Sequence, residues 1–169
     1  MSGDIPSVVC DVRDKESVRA AVLACVERFG RVDIAIANAG VSIPSPADQF
    51  VSQSVEESFQ TNVMGTANII EACKHHSSVK GVVIVTSDKC YENFEDDRPY
   101  NENDRMGGYD PYSASKGCAE LVVSSYRRSF FPINEYGKKH HFILASGRAG
   151  NVIGGGDWSE GSSDPTGAA

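Results

Sequence analysis

Residues 81–87 read Gly-Val-Val-Ile-Val-Thr-Ser, a continuous apolar run rich in β-branched side chains. A run of this kind, without polar alternation, is typical of a strand buried in a parallel sheet. The residues that follow, 88–91, are Asp-Lys-Cys-Tyr. Ligands of open α/β sheets gather where the strands reach their carboxyl ends. The sequence therefore predicts a parallel sheet with a polar site just beyond Ser87.

Strand-like runs and helical periodicities alternate on both sides of this segment. Apolar and β-branched runs predict three more strands, at residues 7–10, 32–37 and 142–145. Strands that alternate with helices are typical of a parallel sheet joined by crossover helices. The polar, acidic stretch 93–108 contains glycine and predicts a loop. The predicted fold class is therefore α/β.

Apolar residues at helical spacing mark three helices between these strands. Asp14 is predicted to cap the first helix, which begins at Lys15 and stops at Gly30. The third helix opens at Pro111. The residues predicted to face inward are Val18, Val22, Val26 and Phe29 in the first helix, Phe59, Val63, Ala67 and Ile70 in the second, and Cys118, Leu121, Val122 and Ser125 in the third.

Composition narrows the classes of protein to consider. With 169 residues, 40% of them hydrophobic, the chain is long enough for about one globular domain. Its net charge of -7 argues against nucleic acid or an anionic membrane as a partner. Five cysteines without metal-type spacing favour reduced thiols over disulfides or zinc. No long apolar run and no leader pattern are visible, so the expected location is cytoplasmic, without a membrane span.

Tyr112 and Lys116 form a Tyr-x-x-x-Lys pair on the predicted third helix. Four residues make about one helical turn, so the phenol and the ammonium lie on one face. A neighbouring cation favours the phenolate form, so the pair could take a proton from an alcohol. Tyr and Lys at this spacing are also common as a solvated surface contact. The strand that ends at Ser87 favours the catalytic interpretation.

At this point the chain resembles the short-chain dehydrogenase/reductase superfamily. Residues 60–158 are similar to CDP-glucose 4,6-dehydratases of its extended branch, and residues 8–41 are similar to its classical branch. The extended-branch likeness rests on residues 61–66, 86–91, 106–121, 124–127 and 148–158, and the classical one on Asp11-Val12-Arg13-Asp14, on residues 29–34 and on Ala37-Asn38-Ala39-Gly40.

The resemblance implies a mechanism. Tyr112 as phenolate would remove the proton of the sugar 4-hydroxyl while hydride passes from C4 to NAD, with Lys116 favouring phenolate and holding the nicotinamide ribose. Ser87 would hydrogen-bond the 4-oxygen. Asp88 and Lys89 would act as base and acid in the loss of water across C5 and C6. Without the resemblance, Asp88-Lys89 would be interpreted as a solvated pair at a strand end.

The implied cofactor contacts lie after the first two predicted strands. Asp11 would accept a hydrogen bond from the adenine amine, with Val12 beside the ring. The turn Asn38-Ala39-Gly40 would let the backbone approach the adenosine. Ordinary turn chemistry is the alternative for these positions. Asn62 would orient a water or the lysine, or satisfy a helix backbone defect. The residues concerned are Asp11, Val12, Asn38, Ala39, Gly40 and Asn62.

Arg148 and Asn151 are the implied ligands of the substrate phosphates, because guanidinium and amide donors match phosphate oxygens. Residues 154–156 are three glycines, but the spacing of a phosphate loop, G-x-G-x-x-G, is absent. The bound nucleotide-sugar is expected to be CDP-glucose.

The family's dinucleotide fold begins with two strands and a Gly-rich turn that have no counterpart in this sequence. The expected organisation is an incomplete NAD-binding Rossmann-type domain over residues 1–158, followed by a disordered tail at 159–169. Strand 7–10 would lack its family neighbour. It must pair with strand 32–37, peel away, or pair with another chain.

Three functions stay open. The first is an NAD-dependent sugar-nucleotide 4,6-dehydratase, complete elsewhere and represented here by a fragment or a shortened relative, favoured by Asp88-Lys89 and residues 106–121. The second is a classical NAD(P)-dependent alcohol or ketone oxidoreductase, favoured by residues 8–41. The third is a non-catalytic interaction module that uses unpaired strand edges. A homo-oligomer could form through the helices that carry Phe59 and Leu121.

Overall fold

The computed structural model describes residues 7–43, 52–95 and 97–150. Three parallel strands form one sheet in the order β1-β2-β3, with helices between them, so the predicted partial Rossmann-like α/β fold is confirmed. In chain order the elements are α1 (Lys15–Phe29), β1 (Ile34–Ala37), α2 (Ser52–Phe59), a π-helical turn (Gln60–Met64), α3 (Gly65–Lys74), β2 (Gly81–Ser87), a 3-10 turn (Asp88–Cys90), α4 (Pro111–Ser129), a second 3-10 turn (Ile133–Glu135) and β3 (Ile143–Ala149).

The hydrophobic core lies between one face of the sheet and helices α3 and α4. Val82 and Ile84 of β2 are buried at 1% and 2% exposure, because alternate residues of a strand point to the same face. Ile70 of α3 and Val123 of α4, both fully buried, belong to the same apolar cluster. This packing places the beginning of α4 beside the carboxyl end of β2.

The opposite face of the sheet is open to solvent in the part of the chain that the structure describes. Ile34 and Ile36 of β1 are 65% and 69% exposed, and Ile143 of β3 is 47% exposed. Parallel sheets usually bury both faces. The described residues therefore form two layers, one of strands and one of helices.

The prediction of a strand at residues 7–10 is wrong. Val9 is 99% exposed, and the segment takes no part in the sheet. The residues that follow it are held against α3 instead: Asn68 donates a side-chain hydrogen bond to the carbonyl of Val12 at 2.9 Å, and a Cβ on Gly65 would lie 2.8 Å from the Val12 side chain. Of the three arrangements expected for this segment, the structure shows it peeled away from the sheet.

Helix α1 has the predicted ends. The Asp14 carboxylate accepts from the backbone N–H of Glu16 at 2.9 Å, and the helix begins at Lys15. Gly30 ends it with a φ of 79°, in the left-handed region that glycine adopts without strain. Phe29 was predicted to face inward, but its side chain is 58% exposed.

The second predicted helix is two helices with a π-helical turn between them. Ile70 is fully buried as predicted. The turn, Gln60–Met64, carries one residue more per hydrogen-bonded ring than an α-helix. It places Asn62 inside the protein, with 2% of its surface exposed. Hydrophobic periodicity alone did not indicate this interruption.

The predicted inward face of α4 needs correction. Leu121 is 62% exposed and Ser125 is exposed as well. The buried face is largely polar or small, and it includes a carboxylate whose hydrogen-bond partners lie in the sheet. Its members are Ser113, Ser115, Lys116, Gly117, Ala119, Glu120 and Val123.

Strand β3 extends four residues beyond its predicted end at position 145. Arg148 pairs with Thr86, and Ala149 pairs with Ser87. The predicted loop at 93–108 is confirmed in its described residues, which hold no helix or strand, only an isolated bridge between Met106 and Tyr91.

We expect Ile70→Ala to lower the free energy of unfolding by about 2–5 kcal/mol, since it leaves a cavity in the core. The matched control is Ile36→Ala on the open face, where the change should stay within about 0.5 kcal/mol. Urea unfolding of the three proteins measures both. An equal loss in the two variants would show that Ile36 is buried in solution.

Candidate functional site

A cleft of about 320 Å³ lies at the carboxyl ends of the strands. It forms because β1 stops at Ala37, opposite Ile84, whereas β2 continues to Ser87 and stays paired with β3. The chain leaving β1 therefore diverges from β2 at this point. Five of the predicted site residues line the cleft: Asn38, Gly40, Ser87, Tyr112 and Lys116.

The first turn of α4 sets the positions of the Tyr-Lys pair. The Asp110 carboxylate accepts from the backbone N–H of Ser113 at 3.0 Å and from its hydroxyl at 2.6 Å. Pro111 is the first helical residue. A Cβ on Gly108 would lie 2.3 Å from the nitrogen of Ala114, so the preceding loop presses directly on the helix. The start of the helix is thus fixed from two sides.

Lys116 carries its ammonium into this cleft. The side chain is 7% exposed, and Nζ lies 5.9 Å from the centre of the Tyr112 ring. Among residues 7–43, 52–95 and 97–150, no hydrogen-bond or ion-pair partner of this ammonium is found. Burial lowers the pKa of Lys116 below its ordinary value. The group is therefore a cation with unused hydrogen-bond donors, as a site for a hydroxyl-bearing ligand requires.

Gly40 lies close to the same ammonium. A Cβ at this position would come 2.8 Å from Lys116 Nζ and 3.2 Å from Asn62 Oδ1. The absence of a side chain lets the loop after β1 approach α4. A ribose that binds in the cleft beside this contact could accept hydrogen bonds from the Lys116 ammonium, which fits a dinucleotide cofactor.

Asn62 joins this loop to α4. Its Oδ1 accepts from the Val41 N–H, and its Nδ2 donates to the Val41 carbonyl, each at 3.0 Å. Nδ2 also donates to the Ser115 hydroxyl at 2.8 Å, and Ser115 donates to the carbonyl of Tyr112 at 2.7 Å. The side chain therefore connects two segments of the site instead of satisfying its own helix.

Ser87, Asp88 and Lys89 follow one another at the end of β2, and only Ser87 lines the cleft. Its hydroxyl donates to the Asp88 carboxylate at 3.1 Å and accepts from the Lys89 N–H at 3.2 Å. Asp88 is half-buried and its Oδ2 would lie 3.4 Å from a Cβ on Gly150, whereas Lys89 is exposed. Asp88 thus lies beside the cleft, at its β3 side, whereas the charge of Lys89 acts on Asp110 at the start of α4.

The structure does not place Asp11 or Val12 in the cleft. The Asp11 carboxylate forms a forked ion pair with Arg13, with a shortest distance of 2.7 Å. Hydrogen bonds from the Arg13 side chain and backbone lower the pKa of Asp11 to about 2. Val12 packs on Gly65. Their contact with an adenine ring stays a prediction. Ala39 is exposed and does not line the cleft either.

Glu120 is the buried residue that the sequence did not single out. It is 2% exposed and accepts from the Thr86 hydroxyl, the Ser146 hydroxyl at 2.9 Å and the Arg148 guanidinium at 2.9 Å. Burial raises the pKa of Glu120, but these three donors outweigh burial and hold it below its ordinary value. The sequence signal that could have indicated Glu120 was its position one helical turn beyond Lys116.

Arg148 does not line the cleft, and Asn151 lies outside the described residues.

In the described part of the chain, the cysteines and the possible metal ligands form no second cluster of reactive side chains. All five cysteines are free, and burial raises the pKa of the Cys73 and Cys90 thiols to about 11. Within the described residues, no cluster of three or more His, Cys, Asp or Glu side chains has metal-binding geometry. None of the described helices combines the length and apolar character that a bilayer crossing needs.

Comparison with known proteins bears on this geometry. A family profile described as short chain dehydrogenase matches residues 2–133, most of the chain. The chain belongs to the short-chain dehydrogenase family. Membership implies a nicotinamide dinucleotide cofactor, either NAD or NADP. The Lys116 ammonium, which has no hydrogen-bond partner among the described residues, is a donor in the cleft that such a cofactor could use.

Relatives within the family differ in activity. The chain is 58% identical over 104 residues to the CDP-glucose 4,6-dehydratase of Salmonella typhimurium, covering 62% of this chain and 29% of that protein. It is 41% identical over 71 residues to a cis-1,2-dihydrobenzene-1,2-diol dehydrogenase of Pseudomonas putida, covering 38% and 26%. The chain thus spans less than a third of the length of either relative.

The fold has counterparts among solved structures. An alcohol dehydrogenase from the archaeon Thermococcus sibiricus, complexed with 5-hydroxy-NADP, superimposes with a TM-score of 0.62 at 22% identity. The match covers 85% of this chain and 53% of the other. This likeness supports the short-chain dehydrogenase fold.

We expect Lys116→Met to raise the free energy of unfolding at pH 7 by about 1–2 kcal/mol, because a buried, unpartnered charge is removed. The folded-state pKa of Lys116 is lowered, so the unfolded chain binds more protons between that pKa and about 10.4, and wild-type stability rises with pH in this window. The advantage of the variant should therefore shrink as the pH approaches 10. The control is Lys138→Met at an exposed position, where no such gain is expected. A loss of stability in Lys116→Met would contradict the conclusion that Lys116 is a buried charge without a partner.

Proposed function

We propose that this chain carries the catalytic residues of an NAD-dependent sugar-nucleotide 4,6-dehydratase, which converts CDP-glucose to CDP-4-keto-6-deoxyglucose and water. The observation that carries the proposal is the convergence of Ser87, Tyr112 and Lys116 on one cleft, with Asp88-Lys89 directly after Ser87. The 58% identity to a CDP-glucose 4,6-dehydratase supports the choice of substrate.

The first step is proton removal at the sugar 4-hydroxyl. Tyr112 as phenolate takes this proton, and Ser87 donates a hydrogen bond to the 4-oxygen. Lys116 favours the phenolate through its nearby positive charge and donates hydrogen bonds to the ribose of the cofactor. Bound NAD would supply hydride acceptance from C4 and hydride return to C6.

The second step is loss of water. A ketone at C4 makes the hydrogen on C5 acidic, and the pair Asp88 and Lys89 divides the work: one removes the C5 proton while the other protonates the departing 6-hydroxyl. Adjacent groups of opposite charge suit these roles, since each stabilises the form its partner needs. The substrate loses one water with no net oxidation.

Cofactor binding is proposed for two segments, one directly before α1 and one directly after β1. Asn38, Ala39 and Gly40 would admit the adenosine side of the cofactor, and Asn62 would hold this loop in place through Val41. Asp11 and Val12 would contact the adenine, with Asp11 favouring NAD over NADP. Asn151 would bind a substrate phosphate. For Arg148, predicted to do the same, the ion pair with Glu120 favours a structural role.

A second candidate is an NAD(P)-dependent alcohol or ketone oxidoreductase of the classical branch. The 41% identity to a dihydrodiol dehydrogenase favours it. This reaction consumes cofactor, whereas a dehydratase regenerates it. For either enzyme we propose a cytoplasmic location and a homo-oligomer in which exposed Leu121 of α4 contributes to the interface.

An NADH titration of the 169-residue chain, followed by cofactor fluorescence, tests whether the cofactor site forms. We expect saturable binding that Asp11→Ala weakens, because the adenine contact is lost. Asp33→Ala is the matched control: it breaks a comparable exposed pair with Arg31, at the amino end of β1 and thus opposite the end where the cleft lies, and should leave binding unchanged. Absence of binding at millimolar NADH would leave the non-catalytic interaction module as the interpretation.

Product analysis with CDP-glucose and NAD separates the two enzymes. A dehydratase releases a 4-keto-6-deoxy sugar without net NADH, and Tyr112→Phe should abolish this product. Net NADH accumulation with an alcohol substrate, and no product from CDP-glucose, would favour the oxidoreductase.

A further inference from the structure

The buried carboxylate of Glu120 connects three elements of the site. Glu120 lies on α4, one turn beyond Lys116, and is 2% exposed. It accepts hydrogen bonds from Thr86 on β2 and from Ser146 and Arg148 on β3. Thr86 directly precedes Ser87. The carboxylate is thus fastened to both strands whose ends form the cleft.

Arg148 continues the connection into the loop that follows the site. Its guanidinium donates to the Tyr91 hydroxyl at 2.7 Å and to the Glu102 carbonyl at 3.3 Å. The Arg148 Cζ also lies 5.0 Å from the centre of the Tyr91 ring, and Tyr91 stacks on Tyr100 with 4.7 Å between ring centres. Because Tyr91 follows the turn Asp88–Cys90, this loop and that turn share one anchor.

The energetics of a buried ion pair suggest that Glu120 and Arg148 fix the arrangement of the elements they join more than they add stability. A buried ion pair is seldom more stabilising than well-packed apolar side chains, since desolvation of both charges offsets their attraction. What a network of directed hydrogen bonds adds is a single arrangement of the elements it joins, whereas apolar surfaces can slide. Here the joined elements carry Ser87, Asp88 and Lys89 on one side and Tyr112 and Lys116 on the other.

We infer that Glu120 and Arg148 are a positioning pair, which holds the strand end Ser87-Asp88-Lys89 against the helix that carries Tyr112 and Lys116. The inference rests on the proposed function only in taking those five residues as catalytic. In this role the Arg148 guanidinium binds Glu120 and Tyr91 instead of a substrate phosphate.

Selective labelling of lysine amines over a range of pH, read by mass spectrometry, tests this role without cofactor or substrate. The variant is Glu120→Gln, which keeps the shape and removes the charge. We expect the titration midpoint of Lys116 to rise by about half a pH unit or more, toward the ordinary value of a lysine, because a displaced helix admits water to the ammonium.

The matched control is Val123→Ala, which destabilises the same helix in the core without touching the network. Its Lys116 midpoint should equal that of the wild type. An unchanged midpoint in folded Glu120→Gln, or an equal rise in Val123→Ala, would overturn the inference and leave the pair as a plain stabilising contact.

Arg148→Lys covers the case in which Glu120→Gln fails to fold. It keeps the positive charge but loses the fork that binds Glu120 and Tyr91 together, so a smaller rise of the Lys116 midpoint is expected. No rise in this folded variant would equally overturn the inference. Failure of the chain to bind NADH would count against the proposed function and would leave the labelling result valid.

Discussion

The central strand β2 is the constraint on which the rest of the described structure depends. It is hydrogen-bonded to β1 on one edge and to β3 on the other, and the paired segment is shorter with β1 than with β3. Pairing with β1 stops at Ile84, whereas pairing with β3 continues to Ser87. This step of three residues creates the space into which the loop after β1, the end of β2 and the start of α4 all project. The cleft is therefore a consequence of unequal strand lengths in a parallel sheet.

Helix α4 carries two buried charged residues, one with hydrogen-bond partners and one without any among the described residues. Glu120 has a full set of donors, so its carboxylate is compatible with the interior. Lys116, one turn earlier, has no described hydrogen-bond partner and faces the cleft. A satisfied charge holds the helix in place, and an unsatisfied one is available to a ligand. The buried charge of Lys116 lowers local stability, as is common at ligand-binding sites.

The matches to known proteins cover most of the segments that build the sheet and the cleft. The family match covers most of the residues that build the sheet and the cleft, and the 58% identity to a dehydratase extends over 104 residues. That relative is more than three times the length of the matched part. The described residues supply the strand ends and the helix that carries Tyr112 and Lys116, with one face of the sheet, marked by Ile34 and Ile36, exposed.

The sequence by itself determined the parallel α/β class, the caps of α1 at Asp14 and Gly30, and the Tyr112–Lys116 pair. These features depend on periods and neighbours within a few residues, where local propensity is reliable. Only the tertiary structure decided that residues 7–10 leave the sheet, that Leu121 faces solvent, and that Glu120 is buried. Each of these depends on contacts between distant segments, such as Glu120 with Arg148 or Asn62 with Val41. A hydrophobic pattern cannot indicate them, because a polar residue becomes a core residue only where folding brings its donors within reach.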